Sequence, residues 1–242
     1  MIVLKLGGSV ITEKSAPETV DGAALARAAD AVAGHDGELV LVHGGGSFGH
    51  PHAERHGVST TEGTRDARAV TDVHGAMGEL NAAVVGALAD RGVPAVPVHP
   101  LSAASRDADG ALSLPVEAPR RMLGEGFVPV LHGDVVVHEG RGATVVSGDE
   151  LVVALARGLD ADRVGLCSDV PGVLDGTGSV VARIGAFGEV ETVLGGSDET
   201  DVTGGMAAKV RALLDLDVPA NVFDLDGLGP FLAGEDPGTR VG

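Results

Sequence analysis

Lysine is almost missing from this 242-residue sequence. Of its 17 basic residues only Lys5, Lys14 and Lys209 are lysines, and 35 acidic residues bring the formal net charge to −18. A surface so short of positive charge repels nucleic-acid backbones and anionic membranes, so neither is expected as a partner. The carboxylate excess reads instead as an adaptation to high salt, with acids holding water and cations. Cysteine is also scarce: Cys167 stands alone, which rules out an internal disulfide, fits a reducing compartment, and is read as a core residue rather than a nucleophile. There is no Trp or Tyr, and aromatics make up 2%. Few aromatics with strong acidity can mark disorder, but regular apolar runs and 44% hydrophobic residues argue for a packed core. No apolar run reaches membrane-spanning length, and Met1 to Gly8 has no basic leader, so a soluble cytoplasmic protein is expected. Neither repeats nor long linkers appear, which suits one large α/β domain or two lobes around a cleft.

What is present alternates. Strands are expected at 2–6, 39–42, 95–98, 128–131, 135–138, 144–147, 163–167, 180–184 and 220–223. Helices are expected at 21–33, 64–91 (with a start one turn later as the alternative), 117–124, 149–159, 205–214 and 227–233. Strand–helix alternation implies βαβ units and a largely parallel sheet. Around Gly140 and Gly178 the short strands read as hairpins. Ligands of such sheets sit beyond the carboxyl ends of the strands, which is where the glycine clusters fall.

Each of the three lysines lies in or beside a glycine-rich segment, where a compact ammonium on a flexible stem can follow a phosphoryl group. In "LKLGGSVITEK" a strand ends at Lys5 and Leu6, Gly7, Gly8 and Ser9 bring backbone amides towards an anion, and Lys14 follows. In "LVLVHGGGSFGHPH", Gly44, Gly46 and Gly49 satisfy G-x-G-x-x-G, yet Pro51 argues against the helix that should open there. No acidic ribose partner follows either, so a dinucleotide-binding reading is disfavoured. The same loop is a P-loop with histidine, His50, in place of lysine. It is read as a phosphate loop of neither type, with His50 donating to a phosphate oxygen; a metal site at His50, His52 and His56 is the weaker alternative. In "VVSGDELVVALA", Asp149 opens a helix, either as its cap or to orient lysine ammonium groups. In "CSDVPGVL", Asp169 lies on a turn that suits ribose, phosphate or a magnesium-bound water. In "DETDVTGGMAAKV", Gly204 and Gly205 start a helix with Lys209 one turn in, so that helix amides and an ammonium share one anion. The acids Asp198 to Asp201 are a solvated run or lie near magnesium.

Taken together, "KLGGSVIT" with Lys14, "HGGGSFGH", "SGD", "SDVPGV" and "DVTGGMAAK" resemble the amino acid kinase superfamily, and within it the kinases of isopentenyl phosphate. The segments keep the family's order from residue 2 to about residue 210. The resemblance implies a single α/β/α sandwich over residues 1–242, its N-terminal half binding the phosphoryl acceptor and its C-terminal half ATP. It further implies a homodimer and transfer of the ATP γ-phosphoryl group to isopentenyl phosphate with Mg²⁺ on the ATP phosphates and no protein metal site. On that pattern Lys5, Leu6, Gly7, Gly8, Ser9, Gly46, Asp169, Gly204, Gly205 and Lys209 face ATP. Gly45, Gly49, His50 and Gly148 face the acceptor. Lys5 and Lys209 neutralise the transferring group, Lys14 stabilises the transition state, and Asp149 orients the lysines. The alternative is a superfamily kinase with another small phosphate, phosphonate or carboxylate acceptor. No motif marks a pocket for the acceptor's tail.

Overall fold

The structure, a computed structural model, describes residues 1–191 and 205–242. Gly204, the Asp198 to Asp201 run and the rest of 192–204 lie outside the described residues. The N-terminal part runs β1 (Ile2–Leu6), α1 (Gly8–Ile11), α2 (Gly22–Ala33), β2 (Leu39–His43), α3 (Gly46–Arg55), α4 (Ala67–Ala89), β3 (Ala95–Pro97) and α5 (Pro100–Ala103). Then come β4 (Ser105–Arg106), β5 (Leu112–Ser113), α6 (Glu117–Gly124), β6 (Val128–His132), β7 (Asp134–His138), β8 (Gly142–Val146), α7 (Gly148–Gly158) and β9 (Arg163–Cys167). The described chain closes with β10 (Arg183–Ile184), α8 (Gly205–Leu214), β11 (Ala220–Phe223), α9 (Leu228–Leu232) and β12 (Thr239–Val241).

The period of two along each strand builds three layers. In β1, Ile2, Leu4 and Leu6 face one cluster while Val3 faces the other; in β2, Leu39 and Leu41 part from Val40 and Val42 in the same way. The first cluster is covered by α2, α4 and α9 through residues such as Leu25, Leu80 and Phe231. The second is covered by α7 and α8 through Leu151, Leu155, Val210 and Leu213. Between them lies an eight-stranded sheet in the order β10-β12-β11-β9-β1-β2-β6-β3. Its strands from β11 to β3 are mutually parallel, and only β12 against β11 is antiparallel. The expected α/β/α sandwich with a largely parallel sheet is therefore the fold found.

A smaller sheet, β5-β4-β7-β8, sits beside it, and its β7–β8 pair is the hairpin expected around Gly140. Near Gly178 the pairing reduces to a single Leu174–Val180 bridge, and the strand expected over 180–184 keeps only β10. The C-terminal strand β12 was not expected. It is three residues long, too short for its alternation to register, and is held by pairing to β11. At α4 the cap is Asp66, whose carboxylate accepts from Arg68 N, so the helix begins three residues after Thr64.

A helix expected at 149 starts instead at Gly148. Ser147 is its cap, accepting from Glu150 N while the Glu150 carboxylate accepts from Ser147 N at 2.9 Å. Asp149 is thus not the cap, and its carboxylate is left for other partners.

Candidate active site

Strands β1, β2 and β9 run side by side, so the segments after Leu6, His43 and Cys167 emerge together at one edge of the sheet. The first two are glycine-rich because they touch. A Cβ on Gly8 would lie 2.1 Å from Gly46 N, and one on Gly46, whose φ is +47°, would lie 2.1 Å from Thr12 Oγ1. Gly8 and Gly46 are therefore required for close backbone approach before any ligand is considered.

Strand alternation also sends Lys5 to the α7 side of the sheet, with Val3. There Lys5 Nζ donates to Asp149 Oδ1 at 2.6 Å, and Lys209 Nζ, from α8, lies 3.9 Å from Asp149 Oδ2. The Lys5 and Asp149 side chains are only 10% and 14% exposed. One carboxylate thus holds two ammonium groups at the mouth of α7, where Gly148 and Asp149 are the first two helical residues. Their amides have no partner within the helix, and the helix end favours negative charge. Across the same opening, Lys14 Nζ donates to Asp169 Oδ2 at 2.5 Å; both groups are exposed.

Pro51 does not prevent a helix. It sits inside α3, which carries His50 on its exposed side. A proline at this position removes the bond to the carbonyl four residues back, that of Ser47. That carbonyl accepts from Glu18 N at 3.0 Å instead, so the helix end is satisfied by the loop that carries Lys14. His52 and His56, weighed as metal ligands, bind Asp72 from α4 at 2.8 and 2.7 Å. Among the described residues no cluster of three or more His, Cys, Asp or Glu side chains could hold a metal ion.

Together these elements enclose a cleft of about 990 Å³. Lys5, Gly7, Gly8, Ser9, Lys14, Gly45, Gly46, Gly49, His50, Gly148, Asp149, Asp169 and Lys209 all line it. Of the residues expected at the nucleotide, Leu6 is buried in the core with its carbonyl accepting from Gly44 N, and Gly205 opens α8 one turn before Lys209. Gly7 lines the cleft, but its N–H is already committed to the Cys167 carbonyl at 2.8 Å, so it is not a phosphate donor. The Cys167 thiol is buried and pushed up to about 12, chiefly by burial, which makes it inert.

The cleft also has apolar lining that the motifs did not announce. Ala53, Val58, Val73, Met77, Val145 and Val146 line it beside Asp134. Val73 and Met77 are four apart on α4 and are buried core residues, Val73 packing with Val135 and Ala143 of the β7–β8 hairpin, and both also border the cleft. Asp134 lies in "HGDVV" with its carboxylate fully buried, accepting from His74 Nδ1 at 2.9 Å and from the amides of Leu101 and Val135. Burial raises its pKa, and His74 opposes that only in part. Behind it His99 Nδ1 meets His132 Nε2 at 3.0 Å, and the His132 ring stacks on His43 at 5.6 Å. The Nδ1–H groups of His43 and His132 donate to the carbonyls of Gly44 and Gly133. Burial holds both imidazoles neutral, lowering His43 to about 4 and His132, with help from its neighbours' charge, to about 3. Both histidines thus fix backbone that borders the cleft.

The family model described as "Amino acid kinase family" matches residues 1–216. The chain is 64% identical to the isopentenyl phosphate kinase of Haloferax volcanii, covering 100% of this chain and 98% of that protein. It is 39% identical to that of Methanothermobacter thermautotrophicus, over 88% and 86% of the two chains. Among solved structures, one described as "X-ray structures of isopentenyl phosphate kinase" superposes with a TM-score of 0.86 at 30% identity, covering all of both chains. A product complex of the Thermoplasma acidophilum isopentenyl phosphate kinase superposes with 0.78 at 26% identity, over 99% of each chain.

Proposed function

The chain belongs to the amino acid kinase family, and from that premise we propose that it transfers the γ-phosphoryl group of ATP to isopentenyl phosphate, giving isopentenyl diphosphate and ADP. The observation that carries the choice of acceptor is the mixed lining of the cleft. Lysines, glycines and His50 line it together with Val58, Val73, Met77 and Val145. A monophosphate on a short branched hydrocarbon matches both kinds of lining. Identity of 64% to an isopentenyl phosphate kinase over the whole chain supports the same reading.

Phosphoryl transfer asks the protein for in-line placement and charge compensation rather than covalent chemistry. His50 and the Gly45 loop hold the acceptor's phosphate so that one of its oxygens faces the donor. Lys5 and Lys209, fixed by Asp149, neutralise the group in transit, and Gly148 at the start of α7 adds an amide beside it. Lys14, carried by the loop over the cleft, meets the charge of the transition state and leaves Asp169 when it does so. The apolar lining excludes water from the acceptor's tail.

Magnesium fits this site as an ion carried by the nucleotide. The carboxylates that line the cleft beside the lysines, Asp149 and Asp169, are already paired with Lys5, Lys209 and Lys14. The ion would then be held by ATP oxygens and water and supply charge compensation there. We further assign the acceptor to the N-terminal half and ATP to the C-terminal half of one domain. A homodimer, a cytoplasmic location and a salt-adapted surface belong to the same reading; among the described residues no helix is long and apolar enough to cross a membrane.

A panel of phosphorylated acceptors with ATP and magnesium in molar potassium chloride, scored for ADP release, tests the assignment. Isopentenyl phosphate should be turned over best. Robust turnover of UMP or a free carboxylate, with none of isopentenyl phosphate, would overturn it.

A further inference from the structure

Lys14 sits on a short loop closed at its base by the antiparallel Thr12–Val20 bridge. The far side of that loop is tied to α3. Glu18 N–H donates to the Ser47 carbonyl at 3.0 Å, the group left vacant by Pro51, and Ser47 Oγ lies 3.3 Å from the Thr19 carbonyl. Glu18 itself has φ of 48°, a left-handed conformation that a non-glycine residue adopts only when its surroundings insist. What insists is the neighbouring helix: the Glu18 carboxylate is hydrogen-bonded to Nε2 of His52, a side chain only 9% exposed. The other ring nitrogen, Nδ1, is 2.8 Å from Asp72 on α4. His52 therefore stands between two carboxylates, one on the Lys14 loop and one on α4, and is two residues from His50.

We propose that His52 is a positioning residue for phosphoryl transfer: by gripping Glu18 it fixes the Lys14 loop against the same helical turn that presents His50. One helical element thereby sets both the acceptor's phosphate and Lys14. The proposal rests on Lys14 acting in transfer, as argued above. It adds a residue that touches neither substrate.

The groups facing the clamp are Glu18 from the loop, Asp72 from α4, and Arg55 and His56 from α3. Arg55 Nη1 and His56 Nε2 share Asp72 with His52 at 3.4 and 2.7 Å. Burial lowers the His52 pKa, but the bonds to Asp72 and Glu18 outweigh it, and the net shift is upward. The clamp is thus complete at and below the ordinary histidine value of about 6.5 and weakens as pH rises through the raised one.

The test uses the full chain in molar potassium chloride, with kinetics from pH 6 to 9 and amide hydrogen exchange of residues 13–19 without substrates. Glu18→Gly removes the carboxylate and keeps a residue that accepts the left-handed backbone, so the melting temperature should hold. It should lower kcat about tenfold near pH 6 with KM for ATP changed less than about twofold, and it should abolish the alkaline decline that the clamp imposes. Exchange across 13–19 should accelerate. Glu18→Gln, which keeps an acceptor for His52, should recover most of kcat. Unchanged exchange in Glu18→Gly overturns the proposal, as does wild-type kcat with faster exchange. If the wild type uses no isopentenyl phosphate, the acceptor assignment fails, while the exchange arm still decides the clamp.

Discussion

Lys5 and Asp149 are 144 residues apart in the chain and 2.6 Å apart in the cleft. Asp149 also draws in Lys209 at 3.9 Å, so one carboxylate organises two of the protein's three lysines. The pairing depends on Ser147 and Glu150 capping α7, which frees Asp149 from that duty.

Asp149→Asn keeps the shape but removes the charge. Turnover should fall about 100-fold, because the ammonium groups lose their common anchor where charge develops. Leaving Lys5 without its partner in a site only 10% exposed should also cost about 3 kcal/mol of stability. Steady-state rates and thermal melts measure the two effects separately. Unchanged turnover with lowered stability would make the pair structural only.

His50→Ala should damage use of the acceptor and spare ATP. A charge-assisted hydrogen bond lost from a phosphate costs about 1.5–3 kcal/mol in kcat/KM for the acceptor. Initial-rate kinetics with each substrate varied in turn would show it; wild-type kinetics for isopentenyl phosphate would count decisively against the placement of His50.

Acid should weaken the fold before most carboxylates titrate. His43 and His132 are held neutral in the folded state, at about 4 and about 3, but take protons near the ordinary histidine value of about 6.5 when unfolded. The unfolded state then binds more protons, so stability falls as pH drops from about 6.5 towards 4. The His43 shift alone corresponds to about 3 kcal/mol, and Asp134, whose raised pKa lets it take a proton when folded, offsets part of the loss. Melts followed by circular dichroism from pH 7 to 4 should show the decline, and a flat profile across that window would be inconsistent with buried neutral imidazoles.

Salt should stabilise this protein. With a net charge of −18, dilute buffer leaves strong self-repulsion. The screening length shrinks from about 30 Å at 0.01 M to about 3 Å at 1 M. Melting temperature and ADP release should rise together towards molar potassium chloride, since Lys5 and Lys209 are largely buried in the cleft and are screened less than the surface acids. An osmolyte of equal osmolarity should do less. Equal stability and activity in dilute buffer would remove the salt-adaptation reading.

Local order was legible in the sequence. The two-residue alternation of β1 and β2 assigns each side chain to a face, and the glycine segments after them announce the edge where ligands bind. The scarcity of lysine singled out Lys5, Lys14 and Lys209, and all three line the cleft. Apart from Asp149, expected to orient the lysines, the sequence supplied few relations requiring two distant segments to meet. Pro51 reads as a helix breaker because its cost is local, whereas its remedy, the Glu18 amide on the Ser47 carbonyl, comes from a loop over 30 residues earlier. Val73 and Met77 belong to the packed core, at 3% and 2% exposure, and that they also border the cleft depends on what is packed against α4. The partners of His52 and the stack of His43 on His132 follow from strand order and helix placement. Periodicity fixes which way a side chain faces; only the assembled sheet decides what it finds there.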